Sequence, residues 1–283
     1  MNNIIETKAL GFRYPKQKKF LFEDLNITIQ EGEMVAILGS NGSGKSTLLR
    51  HFNALSRPKT GTVIVNDQWD TGNSDNWLDI RQIIGLVFQN PENQIVSTIV
   101  EEDIAFALEN LGFPREEIIK RVDESLKKVG MYDYKKYPPY QLSGGQKQRI
   151  GIASILAMRP KAIIFDEATS MLDPEGRSDV LKIIYELNHT YGVTVLMTTH
   201  LLDEVVSVDR VIVLNKGRIT FDDKPEVVFS NREELEAIGL SIPTVTRLAA
   251  DLKAAGYLKD NAKTILTKEE LIDAIEQDIG VKG

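Results

Sequence analysis

The chain has 283 residues, a length that fits one compact domain with an appended segment better than two large domains. Its 41 acidic residues outnumber 34 Lys and Arg, and the net charge of −7 argues against binding to nucleic acid or anionic lipid by charge alone. The absence of cysteine excludes disulfides, thiolate zinc sites, iron–sulfur clusters and cysteine nucleophiles. Without a signal-peptide pattern or a long apolar run, the sequence predicts a soluble cytoplasmic polypeptide.

The first chemical motif follows an apolar run, Met34 to Leu38, that is typical of a buried parallel strand. The next eight residues, Gly39 to Ser46, fit the pattern G-x-x-x-x-G-K-[ST] and lead into a helical segment. Glycines let such a loop wrap around a phosphate with its N–H groups pointing inward, beside the positive end of the helix. A glycine-rich turn that binds nothing is the simpler alternative, but a match of this length between a strand and a helix disfavours it. The predicted nucleotide-binding residues of this phosphate loop are Gly39, Ser40, Asn41, Gly42, Ser43, Gly44, Lys45, Ser46 and Thr47.

Within the phosphate loop, Lys45 is expected to reach the β- and γ-phosphates, and the Ser46 hydroxyl is expected to coordinate Mg²⁺. A second apolar run, from Ala162 to Phe165, ends in the adjacent carboxylates Asp166 and Glu167. Alone, such an ending is more often ordinary strand-to-loop sequence. Together with the phosphate loop it predicts a nucleoside triphosphatase site, in which Asp166 holds the metal shell and Glu167 polarises the attacking water.

A third motif, Leu142 to Gln146, reads LSGGQ and stands directly before a predicted helix. Ser143 and the two glycines would cap that helix and expose its first N–H groups, which predicts a second anion site, although a plain helix cap is the simpler interpretation. In this order, and with His200 following a β-prone run, the motifs resemble the ATP-binding subunit of ABC transporters, whose signature motif is LSGGQ. The resemblance implies an α/β P-loop NTPase fold with a RecA-like core, an antiparallel β subdomain and an α-helical subdomain.

The resemblance also implies roles for single residues. Gln89 matches the family's glutamine that senses Mg²⁺ and nucleotide. Asp173 matches the aspartate of the loop that crosses the dimer interface, and Tyr14 matches the aromatic residue that stacks on adenine. His200 matches the switch histidine that contacts the γ-phosphate and holds the catalytic carboxylate. As simpler alternatives, these residues would be loop, capping or packing residues. The resemblance implies Glu167 and His200 as catalytic, Ser46, Gln89 and Asp166 at Mg²⁺, and Tyr14, Gln89, Ser143, Gly144, Gly145, Gln146 and Asp173 at ATP.

The segment from Asn90 to Gly112 resembles the ATPases of energy-coupling factor (ECF) transporters, and the region after Asp166 resembles the first of their two paralogues. This implies a head-to-tail dimer with a second, paralogous ATPase, a membrane-embedded T-type coupling subunit, a substrate-binding S-type subunit and no nucleic acid partner. It also implies a peripheral location on the cytoplasmic face of the cell membrane and coupling of ATP hydrolysis to uptake of vitamins or other micronutrients. Apolar residues at Ile104, Ala107, Leu108 and Leu111 predict a helix with one packed face and one acidic face.

The predicted domains are an ABC ATPase domain over 1–229, with a helical subdomain over about 92–158, and a C-terminal helical extension over 230–283 that contributes to the dimer contact. The extension reads as amphipathic helices at Arg232–Gly239, Pro243–Gly256 and Thr267–Gln277. Its predicted packing positions are Leu235, Ile238, Leu248, Leu252, Leu258, Leu266, Leu271 and Ile275.

Three other functions are alternatives to this one. A soluble ABC protein acting on DNA needs a long coiled-coil insertion, for which the segment between Gln89 and Leu142 is too short, and one acting on ribosomes normally carries two cassettes in one chain. A nucleotide-gated scaffold without activity would lack the carboxylate of Glu167. The ATPase of another ABC importer or of an exporter stays open as an alternative.

Overall fold

The computed structural model describes residues 2–259 and 263–279. Its strands are β1 (Asn3–Phe12), β2 (Phe22–Gln30), β3 (Met34–Leu38), β4 (Thr60–Val65), β5 (Trp69–Asp70), β6 (Ile84–Val87), β7 (Ala162–Asp166), β8 (Thr194–Thr198), β9 (Arg210–Asn215) and β10 (Arg218–Asp223). Its helices are α1 (Lys45–Phe52), α2 (Trp77–Ile83), α3 (Val100–Asn110), α4 (Arg115–Lys128), α5 (Gly144–Ala157), α6 (Pro174–His189), α7 (Pro225–Ser230), α8 (Arg232–Ala237), α9 (Thr244–Ala254) and α10 (Lys268–Ile279).

The central sheet has the order β10-β9-β3-β8-β7-β6, in which only the edge pair β9–β10 is antiparallel among the described strands. The carboxyl ends of its parallel strands therefore meet at one edge, where ligands bind in open α/β sheets. The phosphate loop follows β3, Gln89 comes after β6, Glu167 follows β7, and His200 comes after β8. The sheet thus gathers motifs that lie far apart in the sequence, and the predicted α/β P-loop fold is confirmed.

The apolar residues of the central strands pack on both sheet faces because successive side chains of a strand point in opposite directions. On β3, Val35 and Ile37 pack toward α1 and a second, four-stranded antiparallel sheet of order β2-β1-β4-β5. Met34, Ala36 and Leu38 belong to the other core, which they share with the helical layer. This two-sided burial explains why the strand sequences are continuously apolar.

The helical layer is built around α5, which packs against α3, α4 and α6. The acidic face predicted for α3 carries the exposed Glu102 and Glu109, whereas Asp103 on the same helix is only 5% exposed. Its Oδ1 atom accepts the backbone N–H groups of Val96, at 2.7 Å, and Ser97, at 3.0 Å, and its Oδ2 accepts the Ser154 hydroxyl. Asp103 therefore pins the loop that follows Gln89 to two helices.

The C-terminal helices form a small core of their own from Ala249, Leu258, Ile265 and Leu271. The predicted packing role of Leu248 is wrong, since its side chain is 49% exposed. Across the described residues, no helix is both long enough and apolar enough to cross a membrane.

Candidate nucleotide site

The phosphate loop is shaped by its glycines. Gly44 has φ +107°, and a Cβ atom there would lie 2.5 Å from the ring of Phe22, so no other residue fits without displacement of that ring. Gly44 is also the N-cap of α1 and supplies no side-chain hydrogen bond to the helix. The first N–H groups of α1 are therefore available to an anion, in addition to the helix dipole.

Lys45 lies inside this loop with only 5% of its surface exposed. Its Nζ donates hydrogen bonds to the carbonyl oxygens of Gly39, at 2.8 Å, and Ser40, at 3.3 Å. Burial lowers the pKa of Lys45, while the nearby carboxylates of Glu167 and Asp166 act in the opposite direction. A phosphate bound in the loop would offer this ammonium charged acceptors, which form stronger hydrogen bonds than carbonyl groups.

Asp166 joins the phosphate loop to the end of β8. Its Oδ1 atom accepts hydrogen bonds from the Ser46 hydroxyl, at 2.8 Å, and from the Thr198 hydroxyl, at 3.0 Å. Asp166 and Thr198 are paired in the register of β7 and β8, which places both side chains at the same edge. The hydroxyl of Ser46 and the carboxylate of Asp166 are oxygen donors of the kind that Mg²⁺ prefers when it also binds substrate phosphates.

Glu167 is held at the centre of the site. Its φ of +53° is unusual for a residue with a side chain, and its N–H donates to the backbone oxygen and the hydroxyl oxygen of Thr198, at 3.2 and 3.0 Å. Its Oε1 lies 2.8 Å from Nε2 of His200. Its Oε2 accepts a 3.2 Å hydrogen bond from Nε2 of Gln89, which also donates to the Ser170 hydroxyl. The structure thus brings the predicted residues Gln89, Glu167 and His200 into direct contact.

Tyr14 follows β1 and lies beside the phosphate-loop helix. Its hydroxyl forms a hydrogen bond with the hydroxyl of Thr47, and its ring meets Phe12 edge to face at 5.1 Å. The side chain remains 42% exposed, which leaves apolar ring surface for a base. Thr47, which is predicted among the nucleotide contacts, is 8% exposed and joins this aromatic residue to α1.

The signature motif, Leu142 to Gln146, forms a capping box at the start of α5. The Ser143 hydroxyl accepts the N–H of Gln146, and the Gln146 side chain accepts the N–H of Ser143. A Cβ atom on Gly145 would lie 3.0 Å from the Cα of Gly176, so the motif packs closely on the start of α6, which Asp173 caps. Among the described residues, no hydrogen bond joins the signature motif to the phosphate loop of the same chain.

Two residues of the site were not predicted from the sequence. Thr198 binds Asp166 and the backbone of Glu167, and Ser170 binds Gln89. The signal for Thr198 is a polar residue at the carboxyl end of a largely apolar strand, directly before Thr199 and His200. Ser170 carries no such signal because its partner, Gln89, lies far from it in the sequence.

The chain is similar to known proteins in both sequence and structure. The ABC transporter family model matches residues 22–170. The chain is 49% identical over 278 residues to the energy-coupling factor transporter ATP-binding protein EcfA1 of Clostridium novyi, covering 97% of this chain and 98% of that protein. The protein of the same name from Caldanaerobacter subterraneus is 52% identical over 275 residues, covering 96% of this chain and 98% of that protein.

The fold is also similar to solved structures of proteins from ABC transporters. The structure of cbiO1 from Clostridium perfringens, described as part of the ABC transporter complex cbiONQ, has a TM-score of 0.77 at 35% identity and covers 88% of this chain and 100% of that chain. A dimeric post-hydrolysis state of the ATP-binding cassette MJ0796, bound to ADP and Pi, has a TM-score of 0.70 at 31% identity, covering 78% of this chain and 98% of that chain. The chain therefore belongs to the ABC transporter family and, within it, to the energy-coupling factor transporter ATP-binding proteins.

Proposed function

We propose that this chain is the ATP-hydrolysing subunit of an ECF importer and couples ATP binding and hydrolysis to the uptake of vitamins or other micronutrients. The observation that carries the proposal is the contact of Glu167 with both His200 and Gln89, beside the carboxylate of Asp166 and the ammonium of Lys45. This arrangement has the phosphate-binding cation, the metal-binding oxygens and the base that hydrolysis requires. The names of the relatives at 49% and 52% identity support the assignment to this class of transporter.

ATP would bind with its β- and γ-phosphates in the phosphate loop, where the N–H groups of α1 and the Nζ of Lys45 bind their oxygens. Adenine would rest on the exposed ring of Tyr14. Ser46, Asp166 and Gln89 would hold Mg²⁺, and this ion, when bound, neutralises charge on the phosphate oxygens. In the described residues the amide oxygen of Gln89 accepts no hydrogen bond, so it is available for this role.

Hydrolysis requires a water molecule aligned with the bond between the γ-phosphorus and the bridging oxygen. The carboxylate of Glu167 orients this water and draws on its proton as the new oxygen–phosphorus bond forms and the bridging bond breaks, which yields ADP and phosphate. His200 holds Glu167 through the 2.8 Å contact and offers its ring to the γ-phosphate. Because Thr198 fixes the backbone of Glu167, the carboxylate is aimed before the nucleotide arrives.

The complete site would be made by two chains, with ATP between the phosphate loop of one and the signature motif of the other. The capping box orients the exposed start of α5 as an anion site, and its packing on α6 places Asp173 beside it. The dimer of the similar cassette MJ0796 supports this assembly. We infer that the partner is a paralogous ATPase. In this chain, we infer that residues 1–229 form the ATPase domain, with a helical subdomain over about 92–158. Residues 230–283 would form the extension that contributes to the dimer contact.

The membrane partners would be a T-type coupling subunit, which binds this chain on the cytoplasmic face of the membrane, and an S-type subunit, which binds the transported solute. A groove between α3 and α4 supports such docking, with a volume of about 720 Å³. It has an apolar floor and a charged rim, and its lining includes Ala105, Phe113, Ile118, Val122, Glu101 and Lys135. An apolar floor inside a polar rim is the usual anatomy of a protein interface.

The test is affinity purification of the full chain from detergent-solubilised membranes, followed by identification of its partners. We expect recovery of a polytopic membrane subunit and a second ATPase. Recovery of ribosomal proteins or DNA in their place would contradict the transport assignment. A full chain carrying Lys182→Ala, a change at an exposed lysine on α6, serves as the matched control and should recover the same partners.

A further inference from the structure

A buried carboxylate lies behind the contact between Glu167 and His200. Glu204 ends the short turn Leu202–Glu204 and is only 5% exposed. Its Oε2 atom accepts a 2.6 Å hydrogen bond from the hydroxyl of Thr199 and a 3.0 Å hydrogen bond from the hydroxyl of Thr169. One carboxylate oxygen thus joins two segments of the chain.

These two segments are the ones that carry the catalytic pair. Thr199 directly precedes His200, and its hydroxyl oxygen also accepts the N–H of Leu201 at 3.0 Å. Thr169 belongs to the turn after Glu167, which the N–H of Ser170 closes on the backbone oxygen of Glu167 at 3.1 Å. A displacement of Glu204 would therefore be transmitted to both sides of the 2.8 Å contact.

Glu204 is itself anchored on α6. Its backbone oxygen accepts a 2.6 Å hydrogen bond from the hydroxyl of Tyr185. Its Oε1 lies 3.8 Å from Nε of Arg177, and neither atom has a hydrogen-bond partner among the described residues. Arg177 also donates to the backbone oxygen of Leu172, next to Asp173. The same carboxylate thus faces the segment that we propose to lie at the dimer interface.

Burial is costly for a carboxylate and raises the pKa of Glu204, while hydrogen bonds from Thr199 and Thr169 and the charge of Arg177 partly offset this. An apolar side chain of similar volume would pack here without that cost. A charged group that is almost fully buried at such a cost is therefore better explained by the geometry that it imposes than by stability.

We propose that Glu204 is a positioning residue for ATP hydrolysis, which holds the segments that carry Glu167 and His200 at the separation that their contact requires. This inference rests on the proposed catalytic roles of Glu167 and His200. Glu204 does not touch the phosphate loop, so it acts on the rate through these two residues and not on nucleotide binding.

The test compares steady-state kinetics of the full chain in its ATPase assembly. In Glu204→Gln one oxygen remains to accept both hydroxyls, but a neutral amide accepts more weakly than a carboxylate. Its NH₂ group would also take the place of Oε1 opposite Nε of Arg177, so two donors would face each other and the link between the segments weakens. We expect kcat to fall about tenfold while KM for MgATP changes by less than about twofold. Thr199→Val should reproduce this loss, because it removes the hydroxyl at constant shape, whereas Thr199→Ser should keep kcat near the native value.

Glu33→Gln is the matched control. Glu33 is a partly buried carboxylate paired with Arg210, and it lies before β3, at the end of the strand opposite the phosphate loop. This variant loses a similar charge and a similar ion pair and should keep the native kcat. A general sensitivity of the fold to lost carboxylates would lower kcat in both variants.

A kcat loss that is confined to Glu204→Gln and Thr199→Val and is rescued by Thr199→Ser supports the proposal. Native kcat in Glu204→Gln, an equal loss of kcat and of ATP affinity, or an equal loss in Glu33→Gln overturns it. Glu167→Gln is measured in the same series to separate the two proposals. Full turnover in Glu167→Gln contradicts the proposed catalytic site, whereas an inactive Glu167→Gln beside a native Glu204→Gln contradicts the positioning role alone.

Discussion

The carboxylate of Glu167 lies 2.8 Å from Nε2 of His200, although the two residues follow different strands of the parallel sheet. Thr198 makes this contact possible, because its hydroxyl oxygen accepts the N–H of Glu167 while its proton is donated to Asp166. The end of β8 therefore sets the positions of the carboxylates of Asp166 and Glu167 together, the first proposed to hold the metal and the second proposed to be catalytic. A change at any of these four residues is expected to affect hydrolysis more than folding.

Glu167→Gln should lower the ATP turnover rate about 100-fold or more, because the amide cannot act as the base. The isosteric side chain keeps its shape, so ATP affinity and the unfolding temperature should stay near native values. Steady-state turnover and calorimetric titration with ATP measure the two effects. Glu186→Gln, at an exposed site on α6, is the control and should hydrolyse ATP normally. Undiminished turnover in Glu167→Gln would remove this residue from the mechanism.

Lys45→Ala should weaken ATP binding about 10- to 100-fold, since each hydrogen bond between charged groups contributes about 1.5–3 kcal/mol. Calorimetry with a non-hydrolysable ATP analogue measures this loss without turnover. The fold should tolerate the change, because it removes a buried cation together with its cost of burial. Lys182→Ala, on the exposed surface of α6, should bind the analogue like the native chain. Equal affinities in the two variants would contradict the proposed role of the phosphate loop.

Asp103→Ala should lower the free energy of unfolding by about 2 kcal/mol, because it removes a charged acceptor from the N–H groups of Val96 and Ser97. Amide hydrogen exchange at these two residues should accelerate, since the loop loses its tie to α3. Glu109→Ala, an exposed change on the same helix, should leave both rates unchanged. Unaltered exchange at Val96 and Ser97 in Asp103→Ala would show that other contacts hold the loop.

Glu204→Gln should change how stability depends on pH. Because burial raises the pKa of Glu204 in the folded chain above its ordinary value of 4.5, the folded state binds more protons than the unfolded state in this window. The native free energy of unfolding therefore falls as pH rises from 4.5 through the raised pKa. The variant has no such group, so it should lose less stability than the native chain between about pH 5 and about pH 8. Urea unfolding at both values measures this difference, and identical slopes would contradict the assigned direction.

Much of the site was predictable because its motifs are local. The phosphate loop needs a strand, glycines with unusual backbone angles and a helix start, and all of these lie within a few residues of one another. The capping box of Ser143 and the cap formed by Asp173 are equally local, and both occur as predicted helix starts. The resemblance to the ABC family then assigned roles to Gln89 and His200, which their residue types and positions alone would describe as ordinary loop residues.

Amphipathic patterns predicted helices better than they predicted burial. Leu248 fits the apolar face of α9 by spacing yet is exposed, and Asp103 lies on a helix with a predicted acidic face yet is buried. A periodic pattern identifies a helix and its apolar side, but the neighbours that cover that side come from other segments. A buried acid likewise depends on partners that are distant in the sequence, such as the hydroxyl of Ser154 on α5.

The sequence by itself determined the P-loop fold class and the phosphate-loop motif, because each depends on contiguous residues with specific chemistry, and it predicted Glu167 as the catalytic carboxylate. Only the tertiary structure decided that Thr198 links Asp166 to Glu167 and that Glu204 joins the segments of Thr169 and Thr199. These contacts arise where parallel strands end side by side, and strand order is a property of the whole sheet. A hydrogen bond between the ends of two neighbouring strands produces no pattern in the sequence of either segment, so it can be identified only from the folded sheet.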